Sequence, residues 1–154
     1  MYEISLQEKY APKGICFGCG CKNNEGLQIK SFAGSEKITC TWMPKKSHEA
    51  FPGVLNGGII GSLLDCHSNW AAAYHIMKAQ GLTSTPCTVT AEFGVKLKKP
   101  TPSNTSLDMI ASLSKISENR AWIDAELIAN NDICATFSGL FVAVEEDHPA
   151  YHRW

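Results

Sequence analysis

Two glycines and one acid carry the clearest chemistry in this sequence. Gly57 and Gly58 follow Asn56 in the stretch Gly53-Val54-Leu55-Asn56-Gly57-Gly58, and Asp65 stands eight residues beyond Gly57. A helix that starts at the glycine pair has first-turn N–H groups without intrahelical partners, and its dipole favours negative charge there. Lacking Cβ atoms, the pair lets a ligand approach those donors closely. A carboxylate about two turns further along can act as general base or nucleophile. Donors for an oxyanion plus a carboxylate together point to acyl chemistry. The alternative for Asp65 is a solvated polar face. Against it, Asp65 is the only acid in residues 50–91 and lies between Leu64 and Cys66.

A long helix must hold this acid. Ile59, Ile60, Leu63, Leu64, His67, Trp70, Ala71 and Tyr74 recur at helical spacing and form a broad apolar face that needs a sheet to cover it. Gly81 is its stop signal. Asn69, one turn after Asp65, shares that residue's face and is a binding candidate. His67 points about 200° away from Asp65 and reads as a packed core histidine, while His75 belongs near the helix surface. Cys66 points about 100° away, and no histidine stands where it could be its base, so a cysteine mechanism is set aside.

Elsewhere the period changes to two. Strands are predicted at about 26–33 and 36–43 before the helix, and at about 87–98, 105–116, 121–129 and 133–144 after it. In the first strand after the helix, Val89, Ala91, Phe93, Val95 and Leu97 alternate against Thr88, Thr90, Glu92, Gly94, Lys96 and Lys98. Glu118-Asn119 and Asn130-Asn131-Asp132 favour antiparallel hairpins. One helix cannot cover both faces of such a sheet, so the sheet should curl around it as a single α+β domain. Residues 26–147 form that domain, 1–25 a lead-in with a Cys/Gly-rich turn, and 148–154 a tail. Trp42, Phe51, Trp70 and Phe93 could line an aromatic pocket, but at these spacings core packing is the commoner use.

Cys16-Phe17-Gly18-Cys19-Gly20-Cys21 raises the question of zinc. A structural site needs four ligands, commonly with a second knuckle, and no other C-x-x-C occurs. The stretch is therefore read as a compact glycine-rich turn, with no metal. The seven cysteines are odd in number, and Cys40, Cys66, Cys87 and Cys134 fall in apolar patterns, which fits free thiols better than a disulfide framework. The 44% hydrophobic and 19% charged fractions are those of a globular chain, and a net charge of −1 without a basic block argues against nucleic acid. No apolar signal core or spanning run occurs, so the chain reads as cytoplasmic and not membrane-bound.

This order of elements, with G-V-L-N-G-G-x-x-x-x-L-L-D, resembles the hotdog-fold acyl-CoA thioesterases, specifically the PaaI-like branch. Cys16-Phe17-Gly18-Cys19-Gly20 with Asn24 and Gly26-Leu27, and His48-Glu49-Ala50-Phe51-Pro52-Gly53, look like stretches of the same branch. The resemblance implies one long central helix wrapped by a curved antiparallel sheet of five to six strands. It implies a homodimer as the minimal unit, commonly doubled to a homotetramer, with sites at the subunit interface. It implies acyl-CoA as substrate, coenzyme A being part of the substrate and no separate cofactor. By resemblance Gly57, with Gly58 beside it, polarises the thioester carbonyl; Asp65 is base or nucleophile; and Thr90 (Thr88 in a slipped register) assists. Lys96, Lys98 and Lys99 become candidates for the phosphates of coenzyme A, though solvated lysines are the commoner case. The usual His before the glycine pair is Asn56 here, which can hydrogen-bond but not titrate. A polar residue expected seven positions before Gly57 is Ala50, whose role His48 could take over. A non-catalytic binding protein for acyl-CoA or aryl ligands is the second reading, and a hydratase on the same fold the third.

Overall fold

The computed structural model describes residues 2–151, so three residues of the expected tail, 152–154, lie outside them. A short helix α1 (Leu6–Tyr10) opens the chain, with the hydroxyl of Ser5 and the carboxylate of Glu8 forming a capping box. Strands β1 (Phe32–Ala33) and β2 (Lys37–Trp42) follow, then a 3-10 turn at Lys46–His48 and a small hairpin, β3 (Glu49–Phe51) with β4 (Val54–Leu55). The long helix α2 (Gly57–Gln80) comes next, and β5 (Thr88–Leu97), β6 (Leu107–Ser117), β7 (Arg120–Ala129) and β8 (Asp132–Ala143) complete the fold. The main sheet runs β1-β2-β6-β7-β8-β5, antiparallel throughout. This single long helix against a six-stranded antiparallel sheet is the hotdog fold. Among the described residues, no helix is long and apolar enough to cross a membrane.

Caps and turns explain the boundaries of α2. Asn56 is its N-cap, and Gly81 ends it in the left-handed region at φ 65°. The hairpin between β7 and β8 turns on Asn130 and Asn131, both at positive φ, a two-residue turn that asparagine tolerates.

The burial of α2 departs from a one-sided apolar face. Ser68, Asn69, Trp70, Ala71, Ala72 and Ala73 are consecutive and all buried, so the middle of the helix is covered on every side. The sheet covers one side. The other is covered by the N-terminal stretch: Leu6 and Ala11 of the expected lead-in, with Leu27 and Ile29 of the expected first strand, are buried in the same core as Leu63 and Leu64. A polar chain pins that stretch down. Gln7 donates to the Ser31 hydroxyl at 3.0 Å, Ser31 lies 2.9 Å from Nδ1 of His67, and Nε2 of His67 lies 3.1 Å from the Ile38 carbonyl. A carbonyl can only accept, so Nε2 carries the proton and Nδ1 accepts from Ser31. Burial pushes this imidazole down to about 4, and it stands neutral in the core.

The strand expected at 26–33 shrinks to Phe32–Ala33. Gln28 has φ 56°, which breaks the extended chain, and the N–H groups of Leu27 and Ile29 go to the carbonyls of Phe17 and Gly18 instead of a sheet partner.

Candidate functional site

Asp65 is half-buried on α2, and its Oδ1 accepts a hydrogen bond from Thr90 Oγ1 at 2.7 Å. One turn on, buried Asn69 accepts from the hydroxyl of Thr88 in the same manner. Residues four apart on a helix are separated by about 6 Å, and residues two apart on a strand by nearly 7 Å. The two threonines of β5 therefore match the two polar side chains of α2 rung for rung.

Strict alternation along β5 would group Thr88 and Thr90 with Glu92 and Lys96, opposite Phe93. The structure groups them with Phe93 instead. The β5–β8 register slips at Ala91: Thr90 pairs with Phe141, but Glu92 pairs with Leu140. This bulge exchanges the faces of the strand half-way along. Thr88 and Thr90 thus face α2 before it, and Phe93, Val95 and Leu97 do so after it. Phe93 stacks on Phe137 at 5.5 Å between centroids. Lys96 falls on the outer face.

Asp65, Asn69 and Thr90 line a cleft of about 260 Å³, walled by Trp70, Cys16 and Cys19. The cysteines come from the glycine-rich turn, and sequence spacing gave no hint that they would meet this helix. Their thiols perturb one another. Those of Cys19 and Cys66 draw Cys16 down to about 2, the Cys16 thiol pushes Cys19 up to about 12, and Cys16 and Cys19 together raise Cys66.

The helix entrance lies elsewhere. The Asn56 carboxamide oxygen accepts from the N–H of Gly58 at 2.8 Å and of Ile59 at 3.2 Å. Gly58 is therefore engaged by the cap, while Gly57, ahead of it, opens on a groove with Phe51, Leu97, Lys98, Lys99 and Thr101. A Cβ on Gly57 would sit 3.3 Å from Leu97 Cδ1, at the end of a flexible side chain. Lys99 also pairs with Asp132 at 3.1 Å. His48 is packed on Trp42, accepts from the Lys45 N–H through Nδ1, and through its carbonyl accepts from the Asn56 N–H. It braces the entrance and does not line the Asp65 cleft.

Eight residues of helix separate Gly57 from Asp65 by about 12 Å along the axis. Within one chain the two features open into different depressions. Beside both runs β5, an edge strand of the sheet, on which Phe93 and Leu97 are 48% and 58% exposed. Of the four aromatics considered for a pocket, Trp42 and Trp70 are buried, whereas Phe51 and Phe93 are exposed.

No protein-family model and no curated protein sequence matches the chain. Solved structures do. A thioesterase superfamily protein from Shewanella loihica superposes with a TM-score of 0.65 at 29% identity, covering 76% of this chain and 91% of that one. A thioesterase from Haemophilus influenzae gives 0.68 at 18% identity over 83% and 90% of the two chains. The PaaI protein of the Escherichia coli phenylacetic acid degradation operon gives 0.65 at 16% identity over 77% and 81%. The chain is thus a hotdog-fold protein whose structural neighbours are thioesterase superfamily proteins, PaaI among them.

Proposed function

We propose that this protein hydrolyses acyl-CoA thioesters at a site shared between two copies of the chain. The observation that carries the reading is the Asp65 carboxylate, held by the Thr90 hydroxyl in a cleft beside an exposed edge strand. Its likeness to thioesterase superfamily structures agrees with that chemistry. In the proposed dimer, β5 pairs with its counterpart, and the Gly57 entrance of one protomer meets the Asp65 cleft of the other. The Gly57 N–H polarises the thioester carbonyl. Gly58 helps by holding the cap, since its own N–H is taken by Asn56. Asp65 either removes a proton from the attacking water or attacks the carbonyl itself to form an anhydride that water then cleaves, and in both routes the coenzyme A thiolate leaves. Thr90 holds one carboxylate oxygen of Asp65 in place. Asn69, held by Thr88, shapes the wall beside it. Lys98 and Lys99, flanking the Gly57 groove, are suited to the phosphates of coenzyme A.

The test is Asp65→Asn, which removes the base while keeping the shape. Turnover of a panel of short, long and aromatic acyl-CoA thioesters should fall at least about a hundredfold. Full activity in that variant would remove Asp65 from the reaction. One observation favours a second reading, a non-catalytic acyl-CoA binding protein: Asn56 cannot titrate, and it occupies the Gly58 donor. Tight binding across the panel without release of free thiol from the unaltered protein would establish that reading instead.

A further inference from the structure

The glycine-rich turn and α2 bring together three sulfurs that neither sequence spacing nor the thioester reaction calls for. Sγ atoms of Cys16, Cys19 and Cys66 all lie within 4.8 Å of one another, and Cys16 and Cys66 are 3.7 Å apart. Around tetrahedral zinc with Zn–S bonds of about 2.3 Å, neighbouring sulfurs are about 3.8 Å apart. The Cys16–Cys66 pair is thus close to the edge length of a thiolate–zinc tetrahedron, and far from the roughly 2.05 Å of a disulfide.

Two glycines make the approach feasible. A Cβ on Gly18 would lie 2.3 Å from Cys66 Sγ, so only glycine lets the helix thiol reach the turn. A Cβ on Gly20 would lie 2.3 Å from the Cys16 nitrogen, and the Gly20 N–H closes the turn on the Cys16 carbonyl at 2.8 Å. The sulfurs also receive hydrogen bonds. The backbone N–H groups of Gly18 and Cys19 point to Cys16, and Trp70 Nε1–H donates to Cys19 at 3.3 Å. Such donors disperse the charge of metal-bound thiolates and fix their orientation. The sequence-level objection to zinc was the lack of a partner for the C-x-x-C pair. Helix residue Cys66 supplies it, and Cys21 does not belong to the set.

We propose that Cys16, Cys19 and Cys66 bind one thiophilic divalent ion of the zinc class. Three thiolates coordinate, releasing their protons to solvent, and a water from the adjoining cleft completes the tetrahedron. The bound ion would clamp the N-terminal turn to α2 one residue from Asp65. This site stands apart from the thioester reading: it concerns metal binding and can hold or fail whatever the protein hydrolyses.

The experiment uses the full chain, purified under reducing, anaerobic conditions and stripped of metal. Cobalt(II) is titrated as a spectroscopic probe, and zinc content is measured after equilibrium dialysis. The expected result is one cobalt per chain, with thiolate-to-metal charge-transfer absorption and the intense visible bands of a tetrahedral site, displaced by an equivalent of zinc. Cys66→Ser should abolish the intense bands and Cys21→Ser should retain them. Weak octahedral bands, no retained zinc, or equal binding in the Cys66→Ser protein would overturn the proposal. So would a Cys16–Cys66 or Cys16–Cys19 disulfide in protein that takes up no metal after reduction. The unaltered protein's own cobalt spectrum keeps the test decisive even if a variant misfolds.

Discussion

Thr90 and Asp65 meet through a 2.7 Å hydrogen bond because β5 carries one extra residue, Ala91, just after the threonine. Without the slip, Thr90 would share a face with Glu92 and Lys96 and point away from α2. The bulge turns the first half of β5 round, putting two hydroxyls against the helix, and keeps Phe93 and Val95 on the inner face in the second half. A bulge beside a reactive group is a common way to re-aim a side chain.

The hydrogen bond has a measurable consequence. Thr90→Val keeps the volume and removes the donor. A hydrogen bond to a charged group contributes about 1.5–3 kcal/mol, so kcat should fall roughly ten- to a hundredfold. Thr90→Ser restores the hydroxyl and should recover most of the loss, whereas a purely packing role would leave serine no better than alanine. Steady-state kinetics on Thr90→Val, Thr90→Ser and Thr90→Ala decides between the two.

The separation of Gly57 from Asp65 gives a sharper test of the shared site. Gly57→Val and Asp65→Asn proteins should each be nearly inactive. When they are mixed, unfolded and refolded together, half the dimers of a two-fold assembly contain one chain of each, and one of their two sites is intact. About a quarter of the unaltered protein's activity should return. A site complete within one chain would give no recovery.

Asn56 caps two amides of α2 through one oxygen. Asn56→Ala should cost about 1 kcal/mol, seen as a thermal midpoint lowered by roughly 2–4 °C. Asn56→Asp, which keeps the acceptor and adds a charge favourable to the helix dipole, should hold or raise the midpoint.

His67 sets a pH dependence of stability. Its folded value, about 4, lies below the ordinary 6.5 because burial disfavours the charged ring. Between those values the unfolded chain takes up a proton that the folded chain refuses. The contribution of His67 is therefore complete above about pH 6.5 and is lost progressively as pH falls toward 4. Taking the unfolded chain's proton uptake into account, the loss from pH 7 to pH 5 is about 2 kcal/mol. Urea denaturation at both pH values should show that difference shrinking by this amount in His67→Gln, even though the variant is less stable at pH 7. An unchanged difference would mean that the buried ring does not titrate on unfolding.

The sequence by itself determined the long helix and the four strands after it, with their limits. The helix spacing from Ile59 to Tyr74, the Asn56 and Gly81 ends, and the paired asparagines after β7 act within a few residues of chain, so they are legible without a partner. The same local logic marked Asp65 and the glycine entrance. Tertiary structure decided which of those residues meet. Whether Thr90 faced Asp65 depended on the pairing of β5 with β8, because a one-residue slip exchanges strand faces. Cys66 met Cys16 and Cys19 only because the N-terminal stretch folds over the far side of α2, a contact spanning 50 residues between Cys16 and Cys66. The helix, finally, sets Gly57 and Asp65 about 12 Å apart along its axis, so whether they share one site is decided by assembly and not by the local sequence.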